Sequence, residues 1–372
     1  QTRRYAWSAK LPLSVLSDFE EFAVYDCRVK PHKNDKASVA RVMYFTYQDY
    51  LEKWDEIAAI FSHDAVLKGS FDQYATSKKK KRGTAEVDDA FLEEIERWRD
   101  LLARNIALRN KNALSLRELN EAVQLTIDRI IFLRIAEGRG VEVYGQLQEI
   151  AEGKGEQSSE LLKNSELSDG SVYSRLCGLF RKADARYNSG LFHFKDEKGV
   201  GGHPDTFTLG LSIDDKVLRD ILQNLYYPES PYVFSEIPSD ILGQVYERFL
   251  GKVIRLTPSG QAKVEEKPEV RKAGGVYYTP TYIVDYIVSN TVGKLLEGKT
   301  PKTAEKLKIV DPACGSGTFL LGAFQHLINW HLNWYRGNNP SKWAKKKVLF
   351  EGRDGWQLTL DEKKKILINN LY

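Results

Sequence analysis

One stretch constrains this chain more than any other: Lys308-Ile309-Val310-Asp311-Pro312-Ala313-Cys314-Gly315-Ser316-Gly317-Thr318-Phe319. A β-branched pair runs into an acid, a tight loop with two glycines follows, and an apolar helix begins near Phe319. A strand–turn–helix of this kind receives a nucleotide-like cofactor at the carboxyl end of a parallel strand. Its glycines let the backbone turn sharply and let a ligand approach where a Cβ would intrude. Asp311, at the strand end, can hold a cationic or hydroxyl-bearing ligand. A GxG turn alone does not choose the cofactor, and a nicotinamide enzyme is a fair alternative for it.

The rest of the composition sets bounds. A chain of 372 residues is too long for one small core, so two or three domains are expected. With 42% apolar and 28% charged residues it reads as an ordinary soluble protein. No apolar run approaches membrane-spanning length and no signal peptide is visible, so no membrane partner is expected. Cys27, Cys177 and Cys314 show no paired or metal-ligand spacing and read as reduced thiols of a cytosolic protein. The six histidines form no HExxH or other ligand pattern, so no metal ligands are assigned. A net charge of +4 permits nucleic-acid binding without arguing for it. The chain starts at Gln1 inside a helical pattern and stops at Tyr372 at the start of a strand, which reads as a piece of a longer protein.

At the amino end, Gln1 to Ala9 read as the end of an aromatic, basic helix. Leu13–Phe19 and Glu21–Asp26 read as short strands, and residues 44–61 as an amphipathic helix rich in aromatics. Two strands need more sheet to be stable. Gln1 and Tyr5 are one helical turn apart and share a face. Gln1-Thr-Arg-Arg-Tyr5 followed by Asp18-Phe-Glu-Glu-Phe-Ala-Val-Tyr-Asp26 resembles the tail of the PD-(D/E)xK nuclease domain of restriction enzymes, where a QxxxY helix follows the catalytic ExK strand. The resemblance implies that the metal-binding Asp and the ExK motif lie upstream of Gln1, and it makes Gln1 and Tyr5 accessory nuclease residues.

Ser77-Lys-Lys-Lys-Lys-Arg-Gly83 reads as an exposed basic linker. From Asp88 to Gly251 the pattern is mostly helical: residues 90–108; a helix opened by the capping box Ser115-Leu-Arg-Glu118, apolar nearly all round and ending near Gly138; 214–225; and 239–250. Gly153–Gly170 reads as a loop, and Leu191–Phe194 as a short strand. No constellation here carries chemistry. Helices 115–138 and 241–250 resemble those that precede the methyltransferase domain in single-chain restriction–modification enzymes, with no motor domain between them and the nuclease tail.

Gly293-Lys-Leu-Leu-Glu-Gly-Lys-Thr300 fits the phosphate-loop pattern GxxxxGK[ST]. A phosphate loop must follow a buried strand and open a helix. This segment follows a helix and is succeeded by Pro301, so Gly298 reads as a helix end and no ATP partner is expected. Upstream, Thr279 suits an N-cap and Pro280 a first helical position, with Ile283, Ile287, Val292 and Leu296 as the apolar stripe.

Gly275-Val-Tyr-Tyr-Thr-Pro280 resembles motif X, and Asp311–Phe319 motif I, of adenine-N6 DNA methyltransferases of the gamma motif order. The pair, roughly thirty residues apart, is far more specific than either stretch alone. The resemblance implies S-adenosylmethionine as cofactor, with Asp311 facing its ammonium group. The backbone from Ala313 through Cys314, Gly315 and Ser316 to Gly317 would pass against methionine and ribose. Tyr278 and Thr279 would close the carboxylate end, Gly275 and Val276 are cofactor-binding candidates of the same stretch, Pro312 and Thr318 belong to the loop, and Phe319 would lock loop to helix. Cys314 reads as a small residue rather than a nucleophile. Capping box Thr359–Glu362 opens a helix ending near Asn370, and Leu371-Tyr372 begins the next strand. The (D/N)PP(Y/F) motif, which orients a flipped adenine, does not occur in the sequence.

The expected fold is thus α/β plus α. It comprises the end of a nuclease α/β domain (1–76), a linker (77–87), an all-helical connector (88–252) and the first part of a Rossmann-like class I methyltransferase domain (253–372). The resemblance implies part of a type IIG-like restriction–modification enzyme of the prokaryotic cytoplasm, with double-stranded DNA as partner and Mg2+ serving the nuclease. These residues alone are expected to be inactive, and the oligomeric state is open. Two other readings stand beside it: a phage-defence adenine-N6 methyltransferase whose nuclease-derived region never cuts, and a non-enzymatic scaffold or DNA-binding module with a vestigial cofactor loop.

Overall fold

The computed structural model describes residues 1–77, 87–111, 113–153, 170–187, 189–196, 203–237, 241, 243, 247, 251–268, 279–352 and 355–372. The basic run, the 154–169 stretch and most of the expected 239–250 helix lie outside the described residues. The chain divides into two compact units, residues 1–238 with 252–267, and residues 239–251 with 268–372.

The first unit opens with α1 (Thr2–Ser8), then β1 (Leu13–Ser17), β2 (Glu21–Asp26) and β3 (Arg41–Thr46). The strands form an antiparallel sheet in the order β1-β2-β3, with Leu13 opposite Asp26 and Glu21 opposite Thr46. Strand β3 corrects the sequence reading, which began a helix at Tyr44. Arg41-Val-Met-Tyr-Phe-Thr46 is β-branched and aromatic, and it supplies the third strand that a hairpin needs. The helix starts later, as α2 (Tyr50–Phe61), after Asp49 Oδ2 accepts from Thr46 N and Thr46 Oγ1, each at 2.8 Å. Helices α3 (His63–Leu67) and α4 (Ser70–Ser77) follow, and Phe61, Phe71 and Tyr74 pack over one sheet face around Val24.

Helices α5 (Val87–Arg109) and α6 (Leu116–Gly138) form the core of the helical part, with α7 (Gln146–Glu152), α8 (Val172–Tyr187) and α9 (Asp215–Gln223). The Ser115 cap is as expected: its Oγ accepts from Glu118 N at 3.2 Å, and Glu118 Oε2 accepts from Ser115 N at 2.7 Å. Helix α6 is buried nearly all round, and so encloses charges that must be answered. Arg129, 1% exposed, donates to Leu191 O, Thr208 Oγ1 and Asp205 Oδ2 at 2.8–2.9 Å. Helices α7 and α8 were not anticipated, and Leu191–Phe194 forms only an isolated bridge between Ser189 and Phe192. A hairpin of β4 (Lys252–Leu256) and β5 (Ala262–Glu266), also unanticipated, is held to α6 by reciprocal bonds between the Asn120 amide and Ile254.

The second unit contains α10 (Thr281–Val288), which continues through a π-helical turn (Ser289–Gly293) into Lys294–Leu296, and α11 (Pro301–Ala304). It continues with α12 (Thr318–Gly337), α13 (Pro340–Lys345), β6 (Leu349–Gly352), β7 (Gly355–Leu358) and α14 (Leu360–Asn370). Its core joins Val284, Val288, Val292 and Leu296 to Leu327, Tyr335, Leu349, Leu358 and Ile366. The apolar stripe differs from expectation: Ile283 and Ile287 are 37% and 39% exposed, and their neighbours Val284 and Val288 are buried. Residues four apart drift by roughly 40° per step on a helix of about 3.6 residues per turn. The wider π turn absorbs that drift, keeping all four core residues on one side.

Among the described residues no helix is long and apolar enough to cross a membrane.

Candidate functional site

The expected strand is present as a short parallel pairing. Ile309 bridges Leu371, with Ile309 N donating to Asn370 O at 2.7 Å, Tyr372 N to Ile309 O at 2.8 Å and Asp311 N to Tyr372 O at 3.2 Å. Residues 308–311 and 371–372 therefore run side by side in one direction, joined by α12, α13, the β6–β7 hairpin and α14. This is the crossover that a parallel sheet requires. The side chain of Asn370, 1% exposed, ties the junction by donating to Ala304 O and Leu307 O.

The chain turns abruptly after this strand. Asp311 Oδ1 accepts from Ala313 N at 3.1 Å, and Gly317 N donates to Cys314 O at 2.7 Å. Gly315 and Gly317 stand at φ +55° and +75°, in the left-handed region where glycine pays no Cβ penalty. Gly317 is the N-cap of α12, so the first amides of that helix open at the end of the loop. The Ser316 and Thr318 hydroxyls lie 2.8 Å apart. Pro312 through Gly315 are exposed, and Asp311, Ser316, Gly317, Thr318 and Phe319 are half-buried. Phe319 packs against the core of the unit, so it fastens loop to helix. The Cys314 thiol is exposed, and its nearest hydrogen-bond acceptor is Gly315 O at 3.9 Å.

A carboxylate that sequence reasoning missed lies against this loop. A Cβ built on Gly315 would stand 3.2 Å from Glu247 Oε1. Glu247 sits in a helical pattern with no local signal of a role. Gly322 was also passed over; its signal was a glycine inside a helix.

Gly275, Val276 and Tyr278 lie outside the described residues. Thr279 is half-buried and does not cap α10: the N-cap is Pro280, with no side-chain bond, one residue later than expected. Gln1 is the N-cap of α1 and accepts from Tyr5 N through its carbonyl at 3.2 Å; both residues are exposed. Among the described residues no cluster of His, Cys, Asp and Glu is placed to hold a metal ion. In the segment resembling a phosphate loop, Gly298 has φ +68°, Lys299 N donates to Leu296 O as at a helix end, and Thr300 caps α11. It has the form of a helix–helix connection rather than the strand-to-helix form of a phosphate loop.

Residues 238–340 match the family described as N-6 DNA Methylase. The type II restriction enzyme and methyltransferase RM.Eco57I of Escherichia coli is 36% identical over 344 residues, 92% of this chain and 31% of the relative. A putative type II restriction enzyme and methyltransferase of Methanocaldococcus jannaschii, RM.MjaORFECS2P, is 28% identical over 37% of this chain and 12% of its own length. The adenine-specific methyltransferase PglX of Streptomyces coelicolor is 36% identical over 58 residues, 16% of this chain and 4% of its own. The chain thus spans less than a third of the length of each of these relatives. No solved structure matches it.

Proposed function

This chain carries an N-6 DNA methylase region and is related to fused type II restriction enzymes and methyltransferases, and on that premise we propose that its Asp311–Phe319 loop holds S-adenosylmethionine for adenine-N6 methylation of DNA. The observation that carries the reading is the exposed glycine turn between a parallel strand and the N-terminus of α12. The residues present suit this ligand. Asp311 stands at the strand end for the ammonium group, and the two left-handed glycines admit a close backbone approach. When bound, the cofactor supplies an electrophilic methyl group. Tyr278 and Thr279 are assigned to its carboxylate end, with Gly275 and Val276 as cofactor-binding candidates of the same stretch.

The finer assignments belong to the same proposal. Residues 1–76 are read as the end of a Mg2+-dependent nuclease domain, with Gln1 and Tyr5 as accessory residues; 77–87 as a linker; and 88–252 as the helical connector. Double-stranded DNA is the proposed substrate of the whole protein. The sequence holds no (D/N)PP(Y/F) tetrapeptide, so residues 1–372 by themselves are expected neither to methylate nor to cleave DNA.

Calorimetric titration of the natural full-length protein with S-adenosylmethionine tests the site. Loss of a charge-assisted contact in Asp311→Ala should weaken binding about tenfold to a hundredfold. Wild-type affinity in that variant would overturn the assignment.

A further inference from the structure

The first unit has a candidate site of its own. A cavity of about 620 Å³ opens between the α1 end, the 30–39 loop and residues 227–232. That volume falls within the range of ligand pockets, roughly 300–1,000 Å³.

The charges in its wall do not cancel. Its three carboxylates are each answered by a cation: Asp35 by Arg3 at 2.8 Å, Glu229 by Lys33 at 2.5 Å and Glu94 by Arg97 at 2.7 Å. Arg4, Lys30 and Lys36 line the same cavity and have no ion-pair partner among the described residues. Arg4 is the informative one. Its guanidinium lies over the Tyr227 ring at 4.6 Å and donates to Tyr232 O at 3.0 Å, while its Nε is buried without a hydrogen-bond partner. Burial lowers its pKa, against smaller raising effects of Tyr227, Tyr144 and Tyr5. A half-buried guanidinium bonded to a backbone carbonyl and an aromatic face, with no carboxylate among its described partners, lacks a counter-charge. The platform that holds it is well packed: Trp7 stacks on Tyr232 at 5.5 Å, and Ser8 Oγ accepts from Val233 N at 2.9 Å.

We propose that this cavity takes a phosphodiester of the DNA backbone, with Arg4 as the fixed charge at its wall and Lys30 and Lys36 completing the neutralisation. With Nη2 already donating to Tyr232 O and Nε buried, Arg4 offers the oxyanion a fixed positive charge held on the Tyr227 ring rather than a two-pronged fork. The choice of DNA over a free phosphate rests on the reading above that DNA is the substrate. Such contacts position a duplex without reading its sequence.

The experiment is a salt titration of duplex DNA binding, followed by fluorescence anisotropy, on the natural full-length protein. Each phosphate contact removed should flatten the slope of log K against log salt by about 0.9. Arg4→Ala and Lys36→Ala are each expected to weaken binding to unrelated duplexes alike and to lower that slope, with Arg4→Lys partly restoring it. Lys36 is exposed, so its substitution tests the site even if Arg4→Ala compromises folding. Inorganic phosphate is the competing probe. If the variants lose phosphate binding but keep the DNA slope, the site is not a DNA contact. If wild-type protein binds DNA and neither variant changes the slope, the cavity proposal fails alone. If wild-type protein binds no DNA, the functional reading fails with it.

Discussion

Gly322 and Val284 meet so closely that a Cβ on the glycine would stand 2.6 Å from Val284 Cγ1 and 3.7 Å from Val288 Cγ2. Helix α12, which begins at the candidate loop, is thereby pressed onto α10. A side chain at position 322 would push the two helices apart, and with them the loop and the segment that enters α10.

Gly322→Ala should therefore destabilise the second unit. Alanine gains about 1 kcal/mol of helix propensity, but overpacking of a filled contact costs about 1–3 kcal/mol. Gly322→Val should cost more. Thermal unfolding checks the direction, and a compensating Val284→Ala should recover most of the loss. Recovery that is absent would mean that this contact does not set the spacing.

Gly315→Ala acts through the backbone. Alanine at φ +55° costs about 1 kcal/mol or more, while the Glu247 carboxylate at 3.2 Å ends a flexible side chain that can swing away. Glu247→Ala should then fail to rescue Gly315→Ala, with a coupling within about 0.5 kcal/mol in a double-mutant cycle. A larger coupling would show that the contact, rather than the turn, dominates. Melting temperature and S-adenosylmethionine affinity are the two readouts.

Asp128, on α6, makes stability depend on pH. Burial raises its carboxyl from the usual range to about 7, against smaller lowering by Gln124 and Arg129. The folded state thus holds a proton that the unfolded chain has released. Stability is then greatest below the unfolded pKa, near 4, falls as pH rises towards 7 and levels off above it. Asp128→Asn should flatten this part of the profile and raise the melting temperature at pH 8 more than at pH 5. Equal shifts at both pH values would contradict the raised pKa.

Much of the fold was legible because its signals are local. The Ser115–Glu118 cap involves groups within one turn, and it formed as read. The Thr359 cap formed only in half: Thr359 Oγ1 accepts from Glu362 N at 3.4 Å, but Glu362 Oε1 accepts from the Tyr335 hydroxyl at 2.8 Å. A residue on another helix thus redirected a local motif. Strand β3 was misread for a related reason. Its aromatic residues fit a helix face as well as a pleated one, and only pairing with β2 selects the strand.

By itself, the sequence determined the glycine turn at Asp311–Phe319 and the Ser115–Glu118 helix cap. These depend on neighbours a few residues apart, on glycine's access to positive φ and on hydrogen bonds within a turn. Tertiary structure alone decided that Val284 and Val288, rather than Ile283 and Ile287, face the core, that Glu247 reaches Gly315, and that Arg4 enters a cavity beside Tyr227 without a counter-charge. Apolar residues one position apart are equivalent until a second helix packs against them. Likewise, a charge has no partner or lack of one until distant segments close around it.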